Sequence, residues 1–299
     1  MEDKIFVSIA SYRDDDCINT INDLFSKAKH PENLVIGLCL QHDGSQILKF
    51  DENIRKQIKI IDLHFTHSYG VCWVRSLIQS LYNNEKYYFQ IDSHMRFVKD
   101  WDIKLIEILN NVSINNKKSI LSTYPLSFTP PDDFQEDGLV IIKPNKFDES
   151  GLLTLNSGIH VFDENNKNPF VVYFISAGFL FSFGEIINDM PYDPNLYFIG
   201  EEITFALRCF TKGWDIYNPA CVIAYHNYNQ NTNRTRHWED YKEWYKINEN
   251  SIKRFNKLFD KNRDLINDSL GKYDIGTKRT VDEFEKLINV DFTNKKINL

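Results

Sequence analysis

The sequence predicts an α/β fold with a mainly parallel sheet, and three observations carry that expectation. Short β-prone apolar runs recur at residues 4–10, 34–40, 57–64 and 86–91. Helical patterning fills stretches between them, which calls for right-handed βαβ crossovers. Polar residues with chemical capability cluster just past the ends of those runs, where ligands bind in such sheets.

The elements follow in order. Residues 4–10 are a buried strand that ends in Ser11-Tyr12-Arg13-Asp14-Asp15-Asp16. An amphipathic helix runs from there to about residue 29, capped by one of those aspartates. Residues 34–40 and 57–64 are the second and third strands, 70–82 is a helix opened by Gly70, and 86–91 is the fourth strand. Segment 11–16, Gln41-His42-Asp43-Gly44 and Asp92-Ser93-His94 then lie at carboxyl ends and converge on one crevice. The middle, 122–169, is looser, with a Pro130-Pro131 turn and short strands at 139–142 and 158–162. Residues 174–182 read as a buried strand with a small-residue notch at Ser176-Ala177-Gly178. After a turn at Tyr192-Asp193-Pro194, Ile199-Gly200-Glu201-Glu202 opens a helix to about residue 212. Residues 216–217 and 222–225 are closing strands, with His226 just past the second. The last stretch is charged, Asn-rich and helical in pattern. The expected organisation is a catalytic core over 1–236 and a helical C-terminal extension, 237–299, packed on the same domain.

Composition bounds the function. With 299 residues and 42% apolar content, the chain can bury a sizeable core. A net charge of −7 argues against a general nucleic-acid binder, which needs a basic face, but leaves room for a local diphosphate pocket. The 5 cysteines show no C-x-x-C spacing and most sit in apolar runs, as buried thiols in a reducing compartment do. The start, Met1-Glu2-Asp3-Lys4, lacks the basic and apolar pattern of a signal peptide. The most apolar window, 174–183, is far shorter than the roughly 20 residues that span a bilayer. A soluble intracellular protein, with no membrane and no nucleic-acid partner, is the expectation.

The residues able to carry chemistry fall into three groups. Asp92 and His94 flank a small residue, Ser93, so in extended backbone they point the same way and offer a carboxylate and an imidazole to one divalent cation. His226, again at a strand end, is the suggested third ligand; its alternative is a solvated strand-end histidine. Glu201 and Glu202 at a helix start either complement the helix dipole or hydrogen-bond sugar or acceptor hydroxyls. Gly70 allows close phosphate approach, Arg75 offers a forked donor for a diphosphate, and Trp73 is either core or a stacking surface. Arg13 and Asp43 stand where a nucleotide could lie, Asp43 as acceptor for a uracil N–H, or else are turn residues. G-x-G-x-x-G after the first strand, G-x-x-x-x-G-K-[ST], H-E-x-x-H and G-x-S-x-G are all absent, which removes the usual support for dehydrogenase, NTPase, zincin and hydrolase readings.

Taken together, segment 6–14, Cys72-Trp73-Val74-Arg75, segment 90–97, Ser176-Ala177-Gly178-Phe179, Gly200-Glu201-Glu202 and Tyr225-His226 resemble, in order, the GlcNAc-transferase family. Its founding members modify hydroxyproline on a cytoplasmic ubiquitin-ligase adaptor of amoebae. The resemblance runs from about residue 4 to 292, and segment 270–279 resembles the family's tail. More distantly, the chain is similar to polypeptide GalNAc-transferases, which share D-x-H and a later histidine as metal ligands. Their G-G-E-N compares with Ile199-Gly200-Glu201-Glu202, with Arg208 at a matching offset, which favours Glu201 over Glu202 as the catalytic carboxylate.

The resemblance implies a GT-A fold, a Rossmann-like mixed sheet flanked by helices. It implies a UDP-sugar donor, UDP-GlcNAc first, and Mn²⁺ or another divalent metal such as Mg²⁺ on Asp92, His94 and His226. Transfer would retain anomeric configuration and use no dedicated enzymic base, in the cytoplasm. Donor-binding residues would be Ser11, Arg13, Asp43, Trp73, Arg75, Asp92 and Ser93. The acceptor would be a hydroxyl of a protein (hydroxyproline, Ser or Thr) or of a glycan. A non-catalytic carbohydrate-binding protein and a nucleotide-sugar hydrolase on the same fold are the competing readings.

Overall fold

The computed structural model describes residues 3–45, 49–131, 133–135, 138–160, 168–229, 234–260 and 269–298. Its strands are Ile5–Tyr12 (β1), Leu34–His42 (β2), Ile58–His64 (β3), Tyr87–Asp92 (β4), Met95–Phe97 (β5), Ser119–Ser122 (β6), Leu126–Thr129 (β7) and Asp133–Phe134 (β8). They continue as Leu139–Phe147 (β9), Leu153–His160 (β10), Phe170–Val172 (β11), Phe179–Phe183 (β12), Asp215–Asn218 (β13), Ala224–His226 (β14), Val290–Asp291 (β15) and Lys296–Ile297 (β16). The helices are Cys17–Lys27 (α1), Glu52–Lys56 (α2), Val71–Gln79 (α3), Trp101–Val112 (α4), Ile186–Asp189 (α5), Glu201–Thr211 (α6), His237–Asp240 (α7), Trp244–Phe259 (α8) and Val281–Ile288 (α9).

Eight strands form the main sheet in the order β11-β13-β6-β12-β4-β1-β2-β3. The half containing β4, β1, β2 and β3 is parallel, as the helical crossovers require. The sheet as a whole is mixed, because β12 runs antiparallel between β4 and β6, and β11 runs antiparallel to β13. Both faces are covered, which is why the strands read as continuous apolar runs. Along β1, Ile5, Val7 and Ile9 pack with Trp101 and Leu105 of α4 and with Ile21 and Leu24 of α1, while Phe6 faces the other way. That second face gathers α3, α6, α8 and α9, so Phe255, Leu258, Phe284 and Phe292 share one core with Tyr88 and Leu180 of the sheet.

Several local expectations need correction. The strand expected over 174–182 begins only at Phe179; Ser176-Ala177-Gly178 is a turn, closed by the Phe179 N–H donating to the Ser176 carbonyl at 3.2 Å. β1 runs on to Tyr12, so Ser11 is an interior strand residue. Asp16 takes the N-cap position of α1 without a capping bond, because its carboxylate accepts from Arg96 at 2.7 and 3.0 Å. The strands foreseen near 139–142 and 158–162 are two arms of one long hairpin, β9 and β10; residues 161–162 lie outside the described residues. The cysteines are free thiols, four of them buried.

Candidate functional site

The site is built where β4 leaves the sheet. β4 ends at Asp92, the chain bends through Ser93 and His94, and β5 starts at Met95. The bend replaces the extended backbone expected there. It is pinned from α1: Thr20 Oγ1 donates to the Ser93 carbonyl and accepts from the Met95 N–H, both at 2.8 Å. β5 then pairs antiparallel with β14, setting Met95 opposite His226. This pairing delivers a residue 134 positions away in sequence to the turn. His226 Nε2 lies 3.3 Å from Asp92 Oδ2, the rings of His94 and His226 are 4.5 Å apart between centroids, and one ligand atom from each of the three residues lies within 4.8 Å of the others.

The three side chains are held from behind. Asp14 Oδ2 accepts from Ser93 Oγ and lies against His94 Nδ1, both at 2.7 Å. Arg75 of α3 donates to Asp92 Oδ1 at 2.9 Å and, through its other terminal nitrogen, to Glu201 at the start of α6. Burial alone would raise the Asp92 carboxyl, but the His226 hydrogen bond and the Arg75 guanidinium outweigh it and hold it below its ordinary value. Burial lowers His226, keeping the imidazole neutral, as a metal ligand must be. A Cβ at Gly178 would come within 2.4 Å of Asp92 Oδ2, so the turn at 176–178 leaves the carboxylate its space. One carboxylate and two imidazoles suit Mn²⁺ and similar divalent ions that also accept phosphate oxygens, so the residues present fit such an ion.

Two cavities meet at this point. The first, about 330 Å³, is walled by Tyr12, Gln41, His94, Tyr197 and Trp238 among others. The second, about 380 Å³, is walled by Tyr124, Ser176, Gly178, Glu201, Glu202 and Tyr228 among others. Asp92 and His226, with Val71 and Phe198, belong to both walls. Glu202 accepts from Tyr124 Oη at 2.5 Å and from the Ala177 N–H at 2.8 Å. Burial pushes its carboxyl up to about 7. Gly200 caps α6 with φ 92°, a left-handed conformation that glycine adopts without steric cost.

The other sequence-derived residues are placed as follows. Ser93 lines the first cavity; Ser11 is buried in β1 and outside both walls. Arg13 donates to both oxygens of Asp240 at 2.9 Å and to Asp43 at 3.3 Å, with its guanidinium over the Phe65 ring. Asp43 is exposed and also accepts from the Ser45 N–H at 3.0 Å. Trp73 lies outside both cavities and packs edge-on to Tyr69 at 5.3 Å. Arg75 reaches the wall of the second cavity and is held there between two carboxylates. Sequence reasoning gave no role to Thr20, Tyr124, Tyr197, His237 or Asp240. Tyr197 Oη lies 2.8 Å from His237 Nδ1, and Tyr12 Oη donates to Asp240 at 2.9 Å, so α7 joins the first cavity to the ends of the sheet. Among the described residues, no helix is long and apolar enough to cross a membrane.

Comparison with known proteins identifies the family and the fold. The model of the family described as glycosyltransferase (GlcNAc) matches residues 4–48 and 43–294. No curated protein sequence gives a significant match. The structure of GalNAc-T7 with UDP, GalNAc and Mn²⁺ is similar with a TM-score of 0.63 at 14% identity, over 98% of this chain and 58% of that one. Residues 1–349 of S. aureus TarS in complex with UDP-GlcNAc align with a TM-score of 0.56 at 11% identity, over 98% of this chain and 72% of that one. The same TarS segment with UDP gives 0.53 at 12% identity, over 96% and 70%. The chain thus spans little more than half the length of the GalNAc-T7 chain it matches. At these identities the likeness establishes the fold, which is GT-A.

Proposed function

The chain belongs to the GlcNAc glycosyltransferase family, and on that premise we propose that it moves a sugar, GlcNAc first, from a UDP-sugar to a hydroxyl acceptor with retention of anomeric configuration. The observation that carries this reading is the Asp92–His94–His226 cluster standing at the junction of two cavities. The first cavity takes the nucleotide, between the ends of β1 and β2 and the segment around α7. The second takes the donor sugar and the acceptor. The diphosphate then crosses the cluster, where the bond to the sugar breaks.

Asp92, His94 and His226 would hold a divalent cation, Mn²⁺ on this reading, which when bound would neutralise charge on the leaving diphosphate. The protein's own groups do the rest. Arg75 and Gly178 keep Asp92 ionised and in place. Glu201, tied to Arg75, and Glu202, tied to Tyr124, border the sugar cavity and orient hydroxyls against the anomeric carbon. The acceptor hydroxyl enters on the face that UDP leaves, and a diphosphate oxygen takes its proton. The acceptor is a protein side chain (hydroxyproline, Ser or Thr) or a glycan.

UDP release from a panel of UDP-sugars, with Mn²⁺ and with EDTA, tests this for the wild type and Asp92→Ala. One donor should turn over with metal, and the substitution should lower the rate by orders of magnitude while the fold persists. Turnover undiminished in Asp92→Ala, or failure of the wild type to bind UDP with metal present, would overturn the reading.

A further inference from the structure

Behind the cluster, at the wall of the first cavity, lies a carboxylate committed to Asp16, Ser93 and His94. Asp14 is 2% exposed, at the carboxyl end of β1, and each of its oxygens is engaged. Oδ1 accepts from the Asp16 N–H at 3.0 Å, and Oδ2 faces both Ser93 Oγ and His94 Nδ1 at 2.7 Å. We propose that Asp14 is a positioning residue: it holds the His94 ring in its Nδ1–H form and so makes Nε2 the nitrogen offered to a divalent cation. The proposal rests on the metal role given to Asp92, His94 and His226.

The chemistry leaves little freedom. An ionised carboxylate only accepts, so the contact requires the proton on His94 Nδ1. Free imidazole favours the opposite tautomer, with the proton on Nε2, which would block the nitrogen left for a metal. Asp14 also ties Ser93, between the two ligands of the turn, so the same carboxylate fixes ring plane and turn geometry together. Carboxylates that accept from the far nitrogen of a metal-binding imidazole raise metal affinity by about 10–100-fold.

In Asp14→Asn the Asp16 N–H claims the amide oxygen and the NH₂ group is turned on His94, where it donates to Nδ1 and drives the proton to Nε2. The test is made on the full chain in two arms. Long-range ¹H–¹⁵N correlation of the metal-free wild type at mildly alkaline pH, with His94 assigned through His94→Gln, should show the Nδ1–H tautomer. Mn²⁺ titration followed by electron paramagnetic resonance should then give about 10–100-fold weaker binding for Asp14→Asn, with His94 shifted to Nε2–H. An Nε2–H signal in the wild type overturns the proposal without any variant having to fold. Equal Mn²⁺ affinity in a folded Asp14→Asn overturns it too. A wild type that binds no Mn²⁺ removes the metal reading instead, and the tautomer signal still decides whether Asp14 holds the ring.

Discussion

Arg75 donates to Oδ1 of Asp92 at 2.9 Å, which fixes one oxygen of that carboxylate and leaves the other, Oδ2, facing His226. The guanidinium is only 3% exposed, and its second terminal nitrogen is committed to Glu201, itself 4% exposed. One buried cation therefore links the metal-type cluster to the carboxylate at the start of α6. Its forked shape matters, because two carboxylates on different elements must be reached at once.

Removing that cation should be costly. Arg75→Met leaves Glu201 buried and unpaired and Asp92 without its strongest positive neighbour. Loss of one partner from a buried ion pair typically costs about 3–5 kcal/mol. Urea unfolding of metal-free protein should show a loss of this size, and a change below about 1 kcal/mol would mean that the network relaxes around the gap. Arg75→Lys should recover only part, since a single ammonium cannot span both carboxylates.

Gly178→Ala should damage the metal cluster without touching a ligand. The added methyl meets Asp92 Oδ2 at 2.4 Å, a distance that forces the carboxylate or the turn to move. We expect Mn²⁺ affinity to fall by about tenfold or more, comparable to loss of a supporting group, while the melting temperature changes little. Mn²⁺ titration beside a thermal melt reads both; unchanged affinity would show that Asp92 Oδ2 is not a ligand atom.

Glu202 sets a pH dependence of stability. Its carboxyl titrates near 7 in the folded chain against an ordinary 4.5, so the folded state holds a proton that the unfolded state has released between those values. Its contribution is fully present below about pH 4.5 and is lost as pH rises through about 7, amounting to at most about 3 kcal/mol. Glu202→Gln can accept from the Ala177 N–H with its amide oxygen and donate its NH₂ to Tyr124 Oη without titrating. The stability of the wild type relative to this variant should therefore decline from pH 5 to pH 8 in urea melts. A flat difference would mean that Glu202 is ionised throughout.

Asp240→Asn addresses the first cavity. Asp240 accepts from Tyr12 Oη and from Arg13, each at 2.9 Å, and so ties α7 to the end of β1. Neutralising it weakens three hydrogen bonds, two of them from a charged donor, each worth on the order of 1–3 kcal/mol. Calorimetry with UDP and Mn²⁺ should show several-fold weaker nucleotide binding, with the metal affinity of the cluster preserved. Unchanged UDP affinity would place the nucleotide elsewhere.

Much of this architecture was legible from residue order. The four apolar runs of the parallel half, the helix opened by Gly70 and the helix opened by Gly200 all follow from local patterning, and each lies within a few residues of the observed element. The run at 174–182 misled because a buried turn can be as apolar as a buried strand; the backbone reverses at Ser176-Ala177-Gly178, where a Cβ on Gly178 would run into Asp92 Oδ2. Arg75 stood out in the sequence, yet its engagement by Asp92 at the end of β4 and by Glu201 at the start of α6 exists only once those elements have packed.

What the sequence determined by itself is what short-range chemistry encodes: the alternation of strand and helix, the D-x-H turn at a strand end, and two acids behind a glycine at a helix start. Tertiary structure decided how distant groups reach the site, including His226, which residue order had only suggested. His226 arrives through the pairing of β5 with β14, Asp14 and Thr20 through α1 and the strand before it, and Asp240 through α7 folding back on β1. The physical reason is range. Helix and strand periodicity act over a few residues, whereas ligand geometry is set to tenths of an ångström by contacts that exist only once the core has packed.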